Sequence, residues 1–397
     1  MLRRYLTHYQ GIPFVCWQRI ILCLVNNFSG GITFFLSIYF VNHLHFNVAL
    51  SGLLISSYGF GTIFGGYFGG KFSDKISPTL ITSIGCFIKG IGFFLFIFFT
   101  QFWWLFINQF LIGIATYAFK ASNATWTLQQ CSEDSATKLK VINCLYSATN
   151  LGLGLSAVMV GVLSHYGFNL VFSFSSLLLM GAGIWLIYQL MQYSHLRSAV
   201  KFVENQTAST TTLPKRSWLL WLALGCLFLG GLILAQLSNT YPVYLHNTFP
   251  NLAINAFSII FILNTFMVVT CQTPLLNLIE SQNKINMLGM GLLLLGGGMM
   301  LLLIANTYLI ALISAFIWTL GEMIFIAMAQ LICYQQSNVH QRGRAQGLYQ
   351  TIYATSVTIG PTLGGALYHH LGSHSVWFAC GCLGLLGFVI CLSWKKS

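Results

Sequence analysis

In a chain of 397 residues with only six acids, one of them, Glu322, lies inside the apolar run IWTLGEMIFIAMAQLIC, residues 317–333. Two bases, Lys89 and Lys120, lie inside runs of the same kind. An ionisable side chain at the centre of a membrane helix costs about 2.5–3.5 kcal/mol on insertion scales, so each one marks a candidate functional position. A carboxylate in such a place can carry a proton, changing its charge as a cation approaches or withdraws. It can also join two helices by a fixed polar contact. A lysine can meet an anion, or lay its stem along the helix and lift its ammonium to the headgroups. Lys89, placed about ten residues into its run, suits that last use.

The elements that position these groups follow from composition. Charged residues are 6% of the chain and apolar residues 56%, against roughly 25% and 45–50% in a soluble domain. Runs of about 20 apolar residues, the length that spans a bilayer, recur from end to end. Twelve spans are expected, at about 14–41, 49–69, 79–99, 103–128, 141–163, 169–191, 218–241, 254–276, 286–305, 308–333, 346–368 and 375–394. No segment is left for a separate soluble domain. The N-terminus has a basic start without a short apolar core and small-residue cleavage site, and reads as a retained first span.

Lys and Arg set the orientation, because cytoplasmic loops hold their excess. Sixteen of the 18 (Arg3, Arg4, Arg19, Lys71, Lys75, Lys138, Lys140, Arg197, Lys201, Lys215, Arg216, Lys284, Arg342, Arg344, Lys395 and Lys396) fall on alternate breaks or the termini. The other breaks hold none, so both termini are expected in the cytoplasm. The net charge of +12 is then an orientation signal and implies no nucleic-acid partner. Most of the eleven cysteines lie in apolar runs, Cys380 and Cys382 among them, and read as small packing residues. Seven of the ten histidines (His43, His45, His165, His246, His369, His370 and His374) sit at the breaks without bases. They read as interfacial polar residues, with no metal site expected.

The one long break, residues 192–217, is rich in Ser, Thr and charge and divides the chain into 1–191 and 218–397. The two halves echo each other at a shift of about 204 residues: KLK at 138–140 falls on RGR at 342–344, and SAVMVG at 156–161 on GPTLGG at 360–365. A duplicated six-helix unit suits two bundles rocking about a midplane site. Gly61, Gly65 and Gly69 recur every four residues and share a face that admits another helix closely. Pro361 interrupts the backbone bonding of the eleventh span.

After the second span, GGKFSDKISPTL resembles the loop signature of the major facilitator superfamily in Gly70, Phe72, Asp74, Lys75 and Ser77. Ser77 stands where that family usually has glycine, and Pro78 where a base usually follows. RGRAQG at 342–347 and GPTLGG at 360–365 add to the likeness, and Thr319–Glu322 (TLGE) is similar to a run in the tenth span of twelve-span drug/proton antiporters. Two departures from that branch are Asn108 in place of a base and Ser156-Ala157 in place of Gly-Pro.

The resemblance implies an all-α membrane protein of twelve transmembrane helices in two pseudo-symmetric six-helix bundles. In that family the first, fourth, seventh and tenth helices line a central cavity. Glu322 and Lys120 then lie on cavity helices at similar depth, one from each half, and could face each other. Asn26, Asn27 and Thr33 of the first helix, Tyr117, Asn123 and Trp126 of the fourth, Gln236, Asn239 and Tyr241 of the seventh, and Trp318 and Gln330 of the tenth complete a candidate pocket. Asp74 can accept hydrogen bonds at the start of the eleventh helix or pair with Arg342 or Arg344. With Gly70 and Lys75 it forms a candidate latch between the halves.

The expectation is a proton-coupled secondary transporter that exports small amphipathic molecules, with Glu322 carrying the proton. It would work as a monomer in a bacterial inner membrane, using a proton gradient and no cofactor. An uptake carrier for a small metabolite or anion, and a non-transporting sensor of the same fold, are the alternatives. No nucleophile, base and acid set is legible, so an enzyme is not expected.

Overall fold

The computed structural model of the chain describes residues 12–130, 135–194, 218–279, 282–336 and 342–393, and among them every regular element is a helix. In chain order the long helices are α1 (Phe14–Gly30), α2 (Val48–Lys75), α3 (Pro78–Leu95), α4 (Phe102–Gln129), α5 (Ser135–Leu163) and α6 (Phe168–Ser194). After the long break come α7 (Trp218–Leu234), α8 (Ile254–Ile279), α9 (Lys284–Met300), α10 (Tyr308–Gln335), α11 (Arg342–Leu371) and α12 (Ser373–Ser393). In hydrocarbon every backbone polar group must be satisfied within the segment, and an apolar run of this length does so only as a helix. The starts follow from local chemistry. Asn47 accepts from the Leu50 amide at the start of α2, Asn283 accepts from the Ile285 and Asn286 amides at the start of α9, and Pro78 opens α3.

Among the described residues, eleven helices are long and apolar enough to cross a membrane, and they coincide with eleven of the twelve expected spans. The exception is α11. It is long enough, but its sequence RGRAQGLYQTIYATSVTIGPT is too polar to qualify by composition. Packing supplies the reason: α11 lies against α2, α7, α10 and α12, and Ser356, Thr358, Gly360 and Gly364 meet protein.

The element boundaries repeat along the chain. Helices α1 and α7 are both 17 residues long and each gives way to a 3-10 turn, Gly31–Phe34 and Ala235–Ser238. Helices α4 and α10 are both 28 residues long. Gly167 and Gly372, with φ of 107° and 82°, immediately precede α6 and α12. That left-handed backbone is open to glycine at no steric cost. Within the first half α2 packs on α4, α3 on α4 and α6, and α1 on α5; within the second, α9 packs on α10 and α12, and α7 on α11. The face of Gly61, Gly65 and Gly69 meets α4 so closely that a Cβ at these positions would strike Phe110 O, Ile114 O and, at 2.5 Å, Ala118 Cα.

Two seams join the halves, α2 with α11 and α5 with α8. The 204-residue shift carries each seam onto the other. Polar side chains at these seams and beside them also join the halves. Ser51 Oγ donates to Asn239 Oδ1 (2.8 Å), Thr362 Oγ1 to Ser56 Oγ (2.7 Å) and Asn42 Nδ2 to Asn247 Oδ1 (2.8 Å). Aromatic rings close the centre, Phe34 on Phe261 and Phe35 on Phe257, at 5.0 and 5.1 Å between centroids.

Candidate functional site

Glu322 lies in the middle of α10, half-buried, and its Oε2 accepts a 2.8 Å hydrogen bond from Asn264 Nδ2 of α8. The same amide lies 3.2 Å from Thr319 Oγ1, one turn earlier on α10. The phenols of Tyr146 on α5 and Tyr353 on α11 are within electrostatic reach of the carboxyl. The acid therefore stands where α5, α8, α10 and α11 converge. Among the described residues its hydrogen-bond donor is a neutral amide. An amide can serve a carboxylate or a carboxylic acid with little change, because either form offers an acceptor oxygen. A cation would have fixed the charged form.

The expected partner is elsewhere. Lys120 and Glu322 form no ion pair; Lys120 is exposed and its Nζ lies 5.4 Å from the Tyr117 ring on the preceding turn of α4. Similar depth on two helices did not make the pair, because facing also depends on rotation about each axis.

Lys89 differs from expectation too. Instead of reaching for the headgroups it is 2% exposed, and its Nζ donates 2.8 Å to Asn26 Oδ1 on α1. Gly30 makes room for it: a Cβ there would sit 2.7 Å from Nζ. Arg19, counted among loop charges in the sequence, is 1% exposed within α1. It reaches Thr79 Oγ1 of α3 at 2.9 Å and lies 4.0 Å from the centre of the Trp126 ring. Among the described residues neither cation is paired with an acid. Asn26→Leu removes the acceptor of Lys89 and is expected to cost about 1–3 kcal/mol or more, read as a lower melting temperature in detergent. Adding Lys89→Met should recover most of that loss, since an orphaned buried charge costs more than an absent pair. An Asn26→Leu single variant that melts with the parent would show that the contact contributes nothing.

The remaining candidates separate by what they touch. Asn123 on α4 donates 3.3 Å to the Arg19 carbonyl, and Asn27 donates 2.7 Å to the Cys23 carbonyl on its own helix. Thr33 donates 2.9 Å to the Gly30 carbonyl. Gln330 and Tyr117 are exposed on α10 and α4. Three others are held by contacts within the protein. Asn239 is fully buried at the α2/α11 seam, where Nδ2 donates to Val48 O (3.3 Å) and Pro361 O (3.1 Å). Gln236 bridges Gly360 O (3.2 Å) and the Thr240 hydroxyl (2.8 Å). Trp318 is 2% exposed with its Nε1 on the Tyr241 hydroxyl at 3.3 Å. Gln236 also borders a small pocket with Gly360, Leu363 and Gly364. The latch residues Gly70, Asp74, Lys75, Arg342 and Arg344 lie outside the residues whose side chains are described.

Asn264, the partner of Glu322, was missed by sequence reasoning. The signal was a lone amide in the run FILNTFMVV of α8. A surface pocket of about 290 Å³ at the ends of α7, α9 and α10, where Lys284 donates 2.7 Å to Gln335, holds none of the charges inside the spans. Among the described residues no group of three or more His, Cys, Asp or Glu is arranged to hold a metal. His165 instead lies 3.0 Å from Asn255 Nδ2, and His43 packs edge-on against Phe168. Of the two cysteines singled out, Cys380 is buried and Cys382 exposed.

Comparison with known proteins defines the class. A family model described as Major Facilitator Superfamily matches residues 20–354 and 251–397, and the chain belongs to that superfamily. A curated relative, the uncharacterized MFS-type transporter YttB of Bacillus subtilis (strain 168), is 25% identical over 267 residues; the match spans 65% of this chain and 64% of that relative's length. Among solved structures, the peptide transporter POT in complex with sulfate aligns with a TM-score of 0.79 at 14% identity, covering 98% of this chain and 95% of that one. The nucleoside transporter NupG aligns with a TM-score of 0.77 at 16% identity, covering 96% and 99%. At these identities the likeness is one of fold. Family and composition together make this a multi-pass membrane protein that stands among transporters and not among enzymes.

Proposed function

We propose that the protein is a proton-coupled secondary transporter that exports small amphipathic molecules in exchange for protons, by alternating access between two six-helix bundles, 1–191 and 218–397, linked by 192–217. The observation that carries this reading is the Glu322 carboxyl, the single acid among the described span interiors, held by the neutral amide of Asn264 at 2.8 Å. A transporter that couples to protons needs a group that is stable both charged and neutral at the junction of its moving parts. With the basic loops in the cytoplasm of a bacterial inner membrane, the contacts of Ser51 with Asn239 and of Asn42 with Asn247 lie toward the outer side. The protein acts as a monomer, with the proton gradient as its energy source and no cofactor.

The experiment is proton flux in proteoliposomes. Compounds that raise the melting temperature of the purified chain are added to vesicles loaded with a pH-sensitive dye, and substrate addition is expected to move protons opposite to the compound. Substrate movement with no proton movement would leave a uniporter. A second reading, an uptake carrier for a small anion, is favoured by the cations Arg19, Lys89 and Lys120 gathered in the first half without an acid among their described contacts.

A further inference from the structure

Arg19 is the feature the coupling mechanism leaves unused. Its guanidinium is always protonated, and it is 1% exposed. One nitrogen, Nη2, is engaged by Thr79 Oγ1 at 2.9 Å, while Nε and Nη1 are buried with no hydrogen-bond partner. The Trp126 ring covers one face of the group at 4.0 Å. That contact supplies attraction for the charge but accepts no in-plane hydrogen bond. Beside it, Asn123 spends its Nδ2 on the Arg19 carbonyl at 3.3 Å, and its Oδ1 is likewise buried and unpartnered. Two unused donors and one unused acceptor thus meet where α1, α3 and α4 pack. Buried polar groups are rarely left in this state, and a buried cation without a counter-charge least of all.

The chemistry of the three atoms selects a ligand. Nη2 carries a second N–H beyond the one given to Thr79, and with Nε along one edge or Nη1 along the other it still offers a fork that matches the spacing of two oxygens of an oxyanion. The Asn123 oxygen asks for a donor on that same ligand. An oxyanion that also carries an O–H satisfies all three. Lys120, one turn before Asn123 on α4 and exposed, adds positive potential on the approach, and Lys89 adds a second fixed cation on α3 beyond Cys86, which both it and Arg19 feel electrostatically. Such a field concentrates anions.

We propose that Arg19, Thr79, Asn123 and Trp126 form a binding site for an oxyanion of phosphate bearing a hydroxyl, such as monoprotonated phosphate or a singly protonated phosphate monoester. The site stands on its own geometry and holds whether or not the anion is the transported species. A soluble phosphate carries the hydroxyl on phosphorus, a phosphatidylglycerol headgroup carries hydroxyls on the glycerol beside its phosphodiester, and the test separates them.

The full chain is placed in phosphatidylcholine nanodiscs in chloride buffer, and binding of radiolabelled inorganic phosphate is measured together with thermal melting. The parent is expected to bind one phosphate per chain saturably, and to prefer it over sulfate, which carries no proton at neutral pH. Arg19→Lys keeps the charge and loses the fork, and should weaken phosphate binding about tenfold or more. Asn123→Leu should bring phosphate affinity down to that of sulfate. If phosphatidylglycerol added to the discs excludes phosphate and raises the melting temperature in the parent but not in Arg19→Lys, the headgroup is the occupant and the site is confirmed with a lipid ligand. The proposal is overturned if the parent binds neither phosphate nor phosphatidylglycerol saturably. It is equally overturned if both variants, folded as judged by their melting curves, bind phosphate as the parent does. Arg19 would then serve only to pin α1 to its neighbours.

Discussion

Glu322→Gln is expected to abolish proton-driven transport while the protein remains folded and binds its substrate. The substitution keeps the shape and an acceptor oxygen for the Asn264 amide now 2.8 Å from Oε2, so the α8–α10 contact survives. The titratable group does not. In proteoliposomes, accumulation driven by a pH gradient should fall by an order of magnitude or more, to the level of empty vesicles. Exchange of labelled for unlabelled substrate, which needs no net proton movement, should persist. Asn264→Leu should do the reverse in part: the carboxyl stays titratable but loses its donor, and stability falls by about 1–3 kcal/mol. Full gradient-driven transport by Glu322→Gln would remove the acid from the coupling mechanism, whatever its role in packing.

The identity of this residue was legible because an acid in hydrocarbon is rare, and rarity is visible in one dimension. Its surroundings were not. Sequence position fixes depth along a helix to within a turn, at about 1.5 Å per residue, but not which neighbour a side chain faces. Lys120 matched Glu322 in depth and still turned to Tyr117, while Asn264, on a helix that received no polar candidates, supplied the contact. The same limit explains Lys89. Its depth suited a stem lifted toward the headgroups, yet Asn26 and the space left by Gly30 hold it inside. Arg19 was hidden differently: counting bases near helix ends reads any of them as a loop charge, and five residues into α1 is already protein interior. What needs no facing information was read well. Span limits depend on hydropathy alone, and the stripe of Gly61, Gly65 and Gly69 depends only on the helical repeat.

The proposed alternating access makes a second strong demand, on the seam between α2 and α11. Gly52 lies against the Pro361 carbonyl, where any Cβ would strike the backbone. Backbone cannot move aside as a flexible side chain can. Nine residues along the helix, half a turn away in direction, Gly61 faces α4, so a side chain at position 52 leaves the α2–α4 packing untouched. Gly52→Leu should therefore fold, yet hold α2 off α11 and exclude the closed arrangement in which Ser51 meets Asn239 and Thr362 meets Ser56. Transport is expected to fall by an order of magnitude or more, since a carrier confined to one state cannot cycle. A cysteine pair at Asn42 and Asn247, whose side chains now meet at 2.8 Å, reports closure directly. A short crosslinker should join the pair efficiently in the parent background and several-fold less in Gly52→Leu. Gly225→Leu is the control, because a Cβ there meets nothing within 4 Å. Crosslinking and transport at parent levels in Gly52→Leu would mean that the seam tolerates separation, and that the gate lies at α5 and α8 alone.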